Sequence, residues 1–276
     1  MTNQNIIVIA SPGRHSNHLV GCLAEHFSIA CVVHEKSDWT AKLRLARRRT
    51  KRLGISKVAG QVAFSLYNRL WARRKTRDRA RAILHNEAPA ATIPVEVVES
   101  VKSPRLIQIL DREKPDVIVV SGTSIIPRDV LRNRGTFLNI HCGITPRYRG
   151  SHGAFWAVYE NRPDLAGVTI HIIDPGIDTG PIVKQATIEI EADDDVQTLA
   201  AKQYHSGTQL IIEAVRECLA GTCRPYRRED LESKLWYGPT LAEYRRFRAN
   251  RDRILSAAQE MDHASRESSR AEAVHS

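Results

Sequence analysis

Short apolar runs separated by polar, turn-forming stretches organise this chain. Ile6 to Ala10 (IIVIA), Ile29 to Val33, Asp116 to Val120 (DVIVV), Phe137 to Ile140 and Val168 to Ile173 are all rich in Val and Ile. Runs this short and this apolar read as strands buried on both faces. His18 to Phe27, Ser103 to Glu113 and Pro127 to Asn133 carry helical periodicity between them, with Ser-Pro opening the second and Lys114-Pro115 closing it. Pro94 to Val98 is a further short strand, and the alternation of Gln185 to Ile190 predicts an edge strand. Asp193-Asp194-Asp195 opens a helix that reaches Leu219; acidic residues there complement the helix dipole, which makes them a cap rather than a metal site. The order strand, helix, strand predicts an α/β fold: a Rossmann-like, mostly parallel sheet flanked by helices.

Asp38 to His85 interrupts this pattern. The segment is dense in Arg and Lys, and Val58, Val62, Leu66 and Leu70 recur at helical spacing, with Phe64, Tyr67 and Trp71 among them. It predicts two or more basic amphipathic helices inserted within 38–92. Such helices suit an RNA or membrane surface, or a lid over a phosphorylated substrate. A solvated insertion or oligomer contact is the favoured reading, because no nucleic-acid motif accompanies them. The expected division is a catalytic domain over 1–219, a C-terminal extension over 220–256 containing Trp236-Tyr237-Gly238-Pro239-Thr240, and a small, polar tail over 257–276 expected to be disordered.

Composition adds a soluble globular class: 276 residues, 42% hydrophobic and 26% charged. The net charge of +10 favours anionic partners or serves solubility. Five cysteines, an odd number without disulfide or zinc spacing, point to reduced thiols in the cytoplasm. The N-terminus lacks a signal-peptide pattern, and no apolar run approaches the length of a membrane span.

Candidate chemistry gathers between Phe137 and Val183. Asn139 and His141 lie two residues apart, so both point to one face of a strand. Cys142 alternates to the opposite face, which argues against a nucleophile there. The loop Asp174-Pro175-Gly176-Ile177-Asp178-Thr179-Gly180 adds a carboxylate. Near the start, Ser11 to Asn17 precedes a helix whose N-terminus suits a phosphate; the plainer reading is a βα turn with Ser16 as N-cap.

Asn139-Ile140-His141, the loop Pro146-Arg147-Tyr148-Arg149-Gly150 and Asp178 with Gly180 together resemble the formyl transferase family. The resemblance covers most of 1–35 and 93–215. It implies 10-formyltetrahydrofolate as co-substrate, no metal, and Asn139, His141 and Asp178 as catalytic residues. It points to Ser121, Gly122, Thr123, Ile125, Asp174 and Gly176 for the folate, largely through backbone groups. Ser16, Asn17, Arg147 and Arg149 are the expected acceptor contacts. The acceptor is expected to be a small anionic amine such as a nucleotide-linked amino sugar; a homodimer is allowed, and nucleic acid is not the expected partner. The insertion lies outside the family's common core. The C-terminal piece is too short for the β-barrel of the tRNA enzyme, and Arg14-His15 stand where the ribonucleotide enzyme is Gly-rich. A hydrolase releasing formate from the same folate, or a basic RNA- or membrane-surface binding protein, are the alternatives.

The residue types fit amine formylation. An amide N–H from Asn139 can meet the carbonyl oxygen as it gathers negative charge, worth about 3–4 kcal/mol in the barrier. His141, if protonated, adds a charge-assisted donor, and Asp178 can hold it cationic or take the amine's proton. Holding amine and formyl group together contributes roughly 7–11 kcal/mol.

Overall fold

In the computed structural model, residues 5–36, 47, 50–84 and 93–274 are described, leaving aside the side chains of Ala72, Arg73, Lys75 and 262–274. The apolar runs become the strands β1 (Ile6–Ala10), β2 (Ile29–Glu35), β3 (Val95–Val98), β4 (Val117–Ser121), β5 (Thr136–His141), β7 (Gly167–Ile172) and β8 (Ile182–Thr187) of one sheet. Its order is β3-β2-β1-β4-β5-β7-β8. The first five are parallel, and β7 and β8 are added antiparallel. Ala10 pairs with Ser121 and Val120 with Asn139, so the C-terminal ends of β1, β4 and β5 lie side by side. Ligands of open α/β sheets collect at that edge.

Alternation along β1 builds two cores. Ile6 and Val8 pack with Leu19 and Leu23 of α1 (Arg14–Ala24) and with Ile211 and Val215 of α7 (Val196–Leu219). Ile7 and Ile9 pack on the other face with Leu106 and Ile109 of α4 (Pro104–Glu113). Burial on both faces explains why these strands read as unbroken apolar runs.

Several boundaries differ from the sequence expectation. Helix α1 begins at Arg14, so Ser16 lies inside it and is not the N-cap; Gly13 takes that place, and the Ser16 hydroxyl donates to the Ser11 carbonyl at 2.5 Å. The helix expected over 127–133 shrinks to one turn, α5 (Arg128–Leu131), ahead of the left-handed Asn133 and Gly135. The edge strand β8 ends at Thr187, and Ile190 is buried in a third core. Asp195 does cap α7, in a box with Thr198.

That third core joins α6 (Gly153–Tyr159), the start of α7 and α8 (Leu241–Val274). Phe155 stacks on Phe247 at 4.7 Å and Trp156 on Trp236 at 4.4 Å. The inserted segment docks here through α2 (Ile55–Tyr67) and α3 (Arg73–Ile83), joined by the π-helical Asn68–Ala72. Phe64 and Tyr67 meet Tyr244, Ala80 and Leu84 meet Ala201, and Arg79 pairs with Glu191 and Asp193. Residues 38–46 and 85–92 of the expected insertion lie outside the described residues, as do 48–49. Helix α8 spans Leu241–Val274 and so runs through most of the tail 257–276. Ala, Glu, Gln and Arg dominate 257–274, and such residues extend a helix already nucleated by packing.

Candidate active site

Strand β5 ends with Asn139 and His141 on one face, and pairing places Asn139 directly across from His171 on β7. The Asn139 amide Nδ2 lies 3.0 Å from His171 Nε2 and 3.5 Å from Asp178 Oδ1. His171 Nδ1 lies 3.0 Å from the Ile172 carbonyl. A carbonyl only accepts, so His171 carries its proton on Nδ1 and receives the Asn139 amide at Nε2. His141 Nε2 sits 2.7 Å from the Tyr148 carbonyl and Nδ1 sits 3.4 Å from Asp178 Oδ2. By the same rule Nε2 bears the proton, and Nδ1 opens toward the carboxylate.

Asp178 is the hub of this cluster. It adopts a left-handed backbone conformation, φ 50°, that Asp tolerates through its short polar side chain. Its Oδ2 also accepts the Gly150 backbone N–H at 2.9 Å. Gly150 has φ 96°, and a Cβ there would be driven into the Trp236 carbonyl oxygen. Glycine is therefore required where β6 (Arg149–Gly150) pairs in parallel with β9 (Leu235–Trp236). The C-terminal extension thus fixes the loop that holds the carboxylate. Trp236 Nε1 donates to the Arg147 carbonyl at 3.1 Å, and Trp156 Nε1 donates to the Tyr237 carbonyl at 3.0 Å.

Burial alone would push the Asp178 carboxyl up; the neighbouring His141 and His171 rings and the Gly150 N–H outweigh it and hold the group at about 2. His141 shifts down from 6.5, because burial outweighs the attraction of Asp178 and the Tyr148 carbonyl. The resting site is an ionised carboxylate beside a His141 imidazole whose pKa is lowered. Burial pushes the Cys142 thiol up to about 12, which agrees with its facing away from this chemistry.

The residues expected at the folate form two loops. Ser121 is buried, with its hydroxyl 3.1 Å from that of Tyr204. The Gly122 carbonyl accepts the Ser11 hydroxyl at 2.5 Å, which ties the first loop, with Ser16, to the end of β4. Thr123 donates to the Ser124 carbonyl, and Ile125 is exposed. Among the described residues, the N–H groups of Thr123 and Ile125 have no hydrogen-bond partner. In the second loop Asp174 Oδ1 accepts the Gly176 N–H at 3.0 Å and the Thr179 hydroxyl at 2.6 Å, which stiffens the turn that delivers Asp178.

The expected acceptor contacts separate. Arg149 reaches the site loop, donating to the Ile177 carbonyl at 3.1 Å. Arg147 instead lies against Glu160 at 2.9 Å and Glu232 at 2.8 Å, a structural ion-pair group that also takes Lys234. Ser16 is buried, and Asn17 is half-buried on α1. Sequence reasoning missed His171, and it placed Gly150 in the motif loop without giving it a role. The available signal for His171 was a lone histidine in an otherwise apolar strand, Thr169-Ile170-His171-Ile172.

The formyl transferase family profile matches residues 4–215. The chain belongs to the formyl transferase family. Methionyl-tRNA formyltransferase of Caldanaerobacter subterraneus subsp. tengcongensis is 32% identical over 148 residues, 52% of this chain and 47% of that protein. The same enzyme of Anaeromyxobacter dehalogenans strain 2CP-1 is 35% identical over 151 residues, 54% of this chain and 48% of that protein. The match thus spans about half the length of these curated relatives. Among solved structures, a 4-N formyltransferase from Francisella tularensis superposes with a TM-score of 0.56 at 13% identity, covering 91% of this chain and 87% of that one. A phosphoribosylglycinamide formyltransferase from Brucella melitensis gives 0.53 at 21% identity, covering 81% and 100%. These likenesses show the family's α/β fold, a mostly parallel sheet with helices on both faces. Helix α8 lies wholly beyond the residues matched by the family profile.

Proposed function

We propose that this member of the family moves a formyl group from 10-formyltetrahydrofolate to the primary amine of a small anionic acceptor, such as a nucleotide-linked amino sugar. The observation that carries the reading is the Asp178 carboxylate, held by the Gly150 N–H and ringed by Asn139, His141 and His171. The donor supplies a formyl group on nitrogen. The chain's residues fit it: the unpartnered N–H groups of Thr123 and Ile125, with exposed Ile125 and Ile177, suit a flat ring with a hydrogen-bonding edge.

Each residue then has one task. Asn139 meets the formyl oxygen: its N–H contact with Asp178 is long, 3.5 Å, and is readily exchanged for a better acceptor. His171 holds the Asn139 amide in the orientation that presents this N–H. His141 takes a proton from the attacking amine at Nδ1, and Asp178 stabilises the imidazolium that forms. The new C–N bond forms as the old one breaks, and His141 returns the proton to the departing nitrogen.

Acceptor identity divides two readings. Sugar N-formyltransferase folds, including one from Shewanella sp. with a TM-score of 0.55 at 12% identity over 90% of this chain and 87% of that one, support a small sugar amine. The 32–35% identity to methionyl-tRNA formyltransferases supports a methionyl-tRNA acceptor. The test incubates the chain and 10-formyltetrahydrofolate with nucleotide-linked amino sugars, glycinamide ribonucleotide and methionyl-tRNA, reading tetrahydrofolate release and product mass. A formylated sugar amine supports the proposal. A formylated tRNA moves the chain to the second reading, and formate released without any acceptor would make it a hydrolase.

A further inference from the structure

The net positive charge of this protein sits in one segment. Residues 47–84 hold 13 Lys and Arg against a single acidic residue, Asp78, whereas the whole chain carries +10. Everything outside that segment therefore nets to −2. Among the described residues, the same segment holds five of the eleven large apolar side chains that are exposed: Ile55 is 77% exposed, Val62 and Leu66 54%, Leu70 51% and Trp71 64%.

Helix geometry explains the arrangement. Around α2, Gly60, Phe64 and Tyr67 face inward onto Thr240 and Tyr244, and Gln61 donates to the Gly238 carbonyl at 2.6 Å. Ile55, Val62 and Leu66 lie on the outward side, where with Val58, Ala59 and Ala63 they line a shallow apolar trough. Leu70 is exposed just beyond them, whereas Trp71 stacks on the inward Tyr67 at 6.2 Å. Exposed Lys51 stands near one end, where Arg52 lies over the Tyr237 ring, and exposed Arg69, Arg74, Arg77 and Arg81 follow the other, the last two beside Asp78. Burial of the inner face accounts for Phe64 and Tyr67 but leaves the outer face unexplained, since an ordinary solvated helix is polar on that side.

We propose that this outer face is a docking surface for an anionic lipid bilayer, on which the protein rests peripherally. A helix lying in the plane of a membrane has an apolar face with Lys and Arg beside it. Ile55, Val62 and Leu66 supply the first, and exposed Lys51, Arg69, Arg74, Arg77 and Arg81 the second. A second copy placed face to face would oppose two segments of the same strong positive charge. A nucleic acid would be attracted to the cations but gives the aliphatic stripe no partner. The described residues contain no helix long and apolar enough to cross a membrane, so the contact is with one leaflet. The surface is separate from the Asn139–Asp178 cluster, and the inference does not depend on the reaction.

Flotation with phosphatidylcholine vesicles, with and without about one-third phosphatidylglycerol, tests it on the full chain. The expected result is partition to anionic vesicles alone, weakened at least about tenfold by raising the salt severalfold. Val62→Ser with Leu66→Ser, and separately Arg69→Gln with Arg74→Gln and Arg77→Gln, should each abolish partition. All these positions are exposed, so melting temperature and turnover on a soluble acceptor should hold. No partition to anionic vesicles overturns the proposal. So does partition that survives the Val62/Leu66 variant, a dimer in solution that this variant dissociates, or a salt-labile RNA complex that it leaves intact.

Discussion

At the scale of single residues, the site is a carboxylate whose charge is stabilised by its neighbours. Asn139→Ala removes the donor expected at the formyl oxygen and should lower kcat by about 100- to 1,000-fold with little change in KM. His171→Leu leaves that amide without its partner at Nε2. It should lower kcat by a smaller factor, and His171→Gln, which keeps an acceptor, should recover part of it; equal loss in both would end the positioning role of His171. Protonation gives a further test. The folded pKa of His141 is lowered, so below about 6.5 the unfolded chain binds a proton that the buried ring resists. Stability therefore falls as pH falls from 6.5 toward the folded value. For Asp178, held at about 2, stability is complete above its ordinary 3.8 and is lost as pH drops to about 2. Urea unfolding at pH 7 and pH 5 should show a smaller acid loss in His141→Gln than in the parent protein.

At the scale of elements, the pairing of β6 with β9 matters most. It holds Gly150 where its N–H reaches Asp178, and Trp236 locks it by stacking on Trp156. Trp236→Ala should cost about 3 kcal/mol of stability and reduce kcat, whereas Trp236→Phe should keep most of both. If Trp236→Ala melts lower but turns over normally, the extension supports the fold without tuning the site. The start of α7 offers a comparison away from the chemistry. Asp195 caps it and also accepts the Tyr244 hydroxyl at 3.0 Å. Asp195→Ala should destabilise by about 1–2 kcal/mol and leave kcat unchanged, as read by urea unfolding and steady-state rates.

At the scale of the molecule, α8, which lies beyond the residues matched by the family profile, closes a core built mostly within them. Tyr244 and Phe247 cover Phe64 and Phe155, so a chain ending before Leu241 would expose a contiguous aromatic face. Such a truncation should aggregate or lose cooperative melting, while one ending after Met261 should melt within a few degrees of the full chain. Light scattering with calorimetry distinguishes the two. The whole molecule also divides its labour, with the proposed reaction site at the ends of β4 and β5 and the net positive charge on the inserted helices.

How much of this was legible beforehand follows from the range of the interactions. The apolar runs determined β1, β4, β5 and β7, because burial on both faces leaves a local signature in each strand. Asn139 and His141 were readable because strand alternation is local, and Asp178 because its loop is dense in turn formers. Composition located the charge and the stripe of the insertion. Tertiary structure alone decided the rest. His171 becomes part of the site only through its pairing across from Asn139, and Arg147 leaves it only because Glu160 and Glu232 claim its guanidinium. Gly150 gains its role from a strand more than eighty residues later in the chain. Which side of α2 stays exposed was likewise settled by Tyr244 and Thr240 packing against the other. A periodic apolar pattern encodes that a helix has faces, but a long-range contact selects which face is covered.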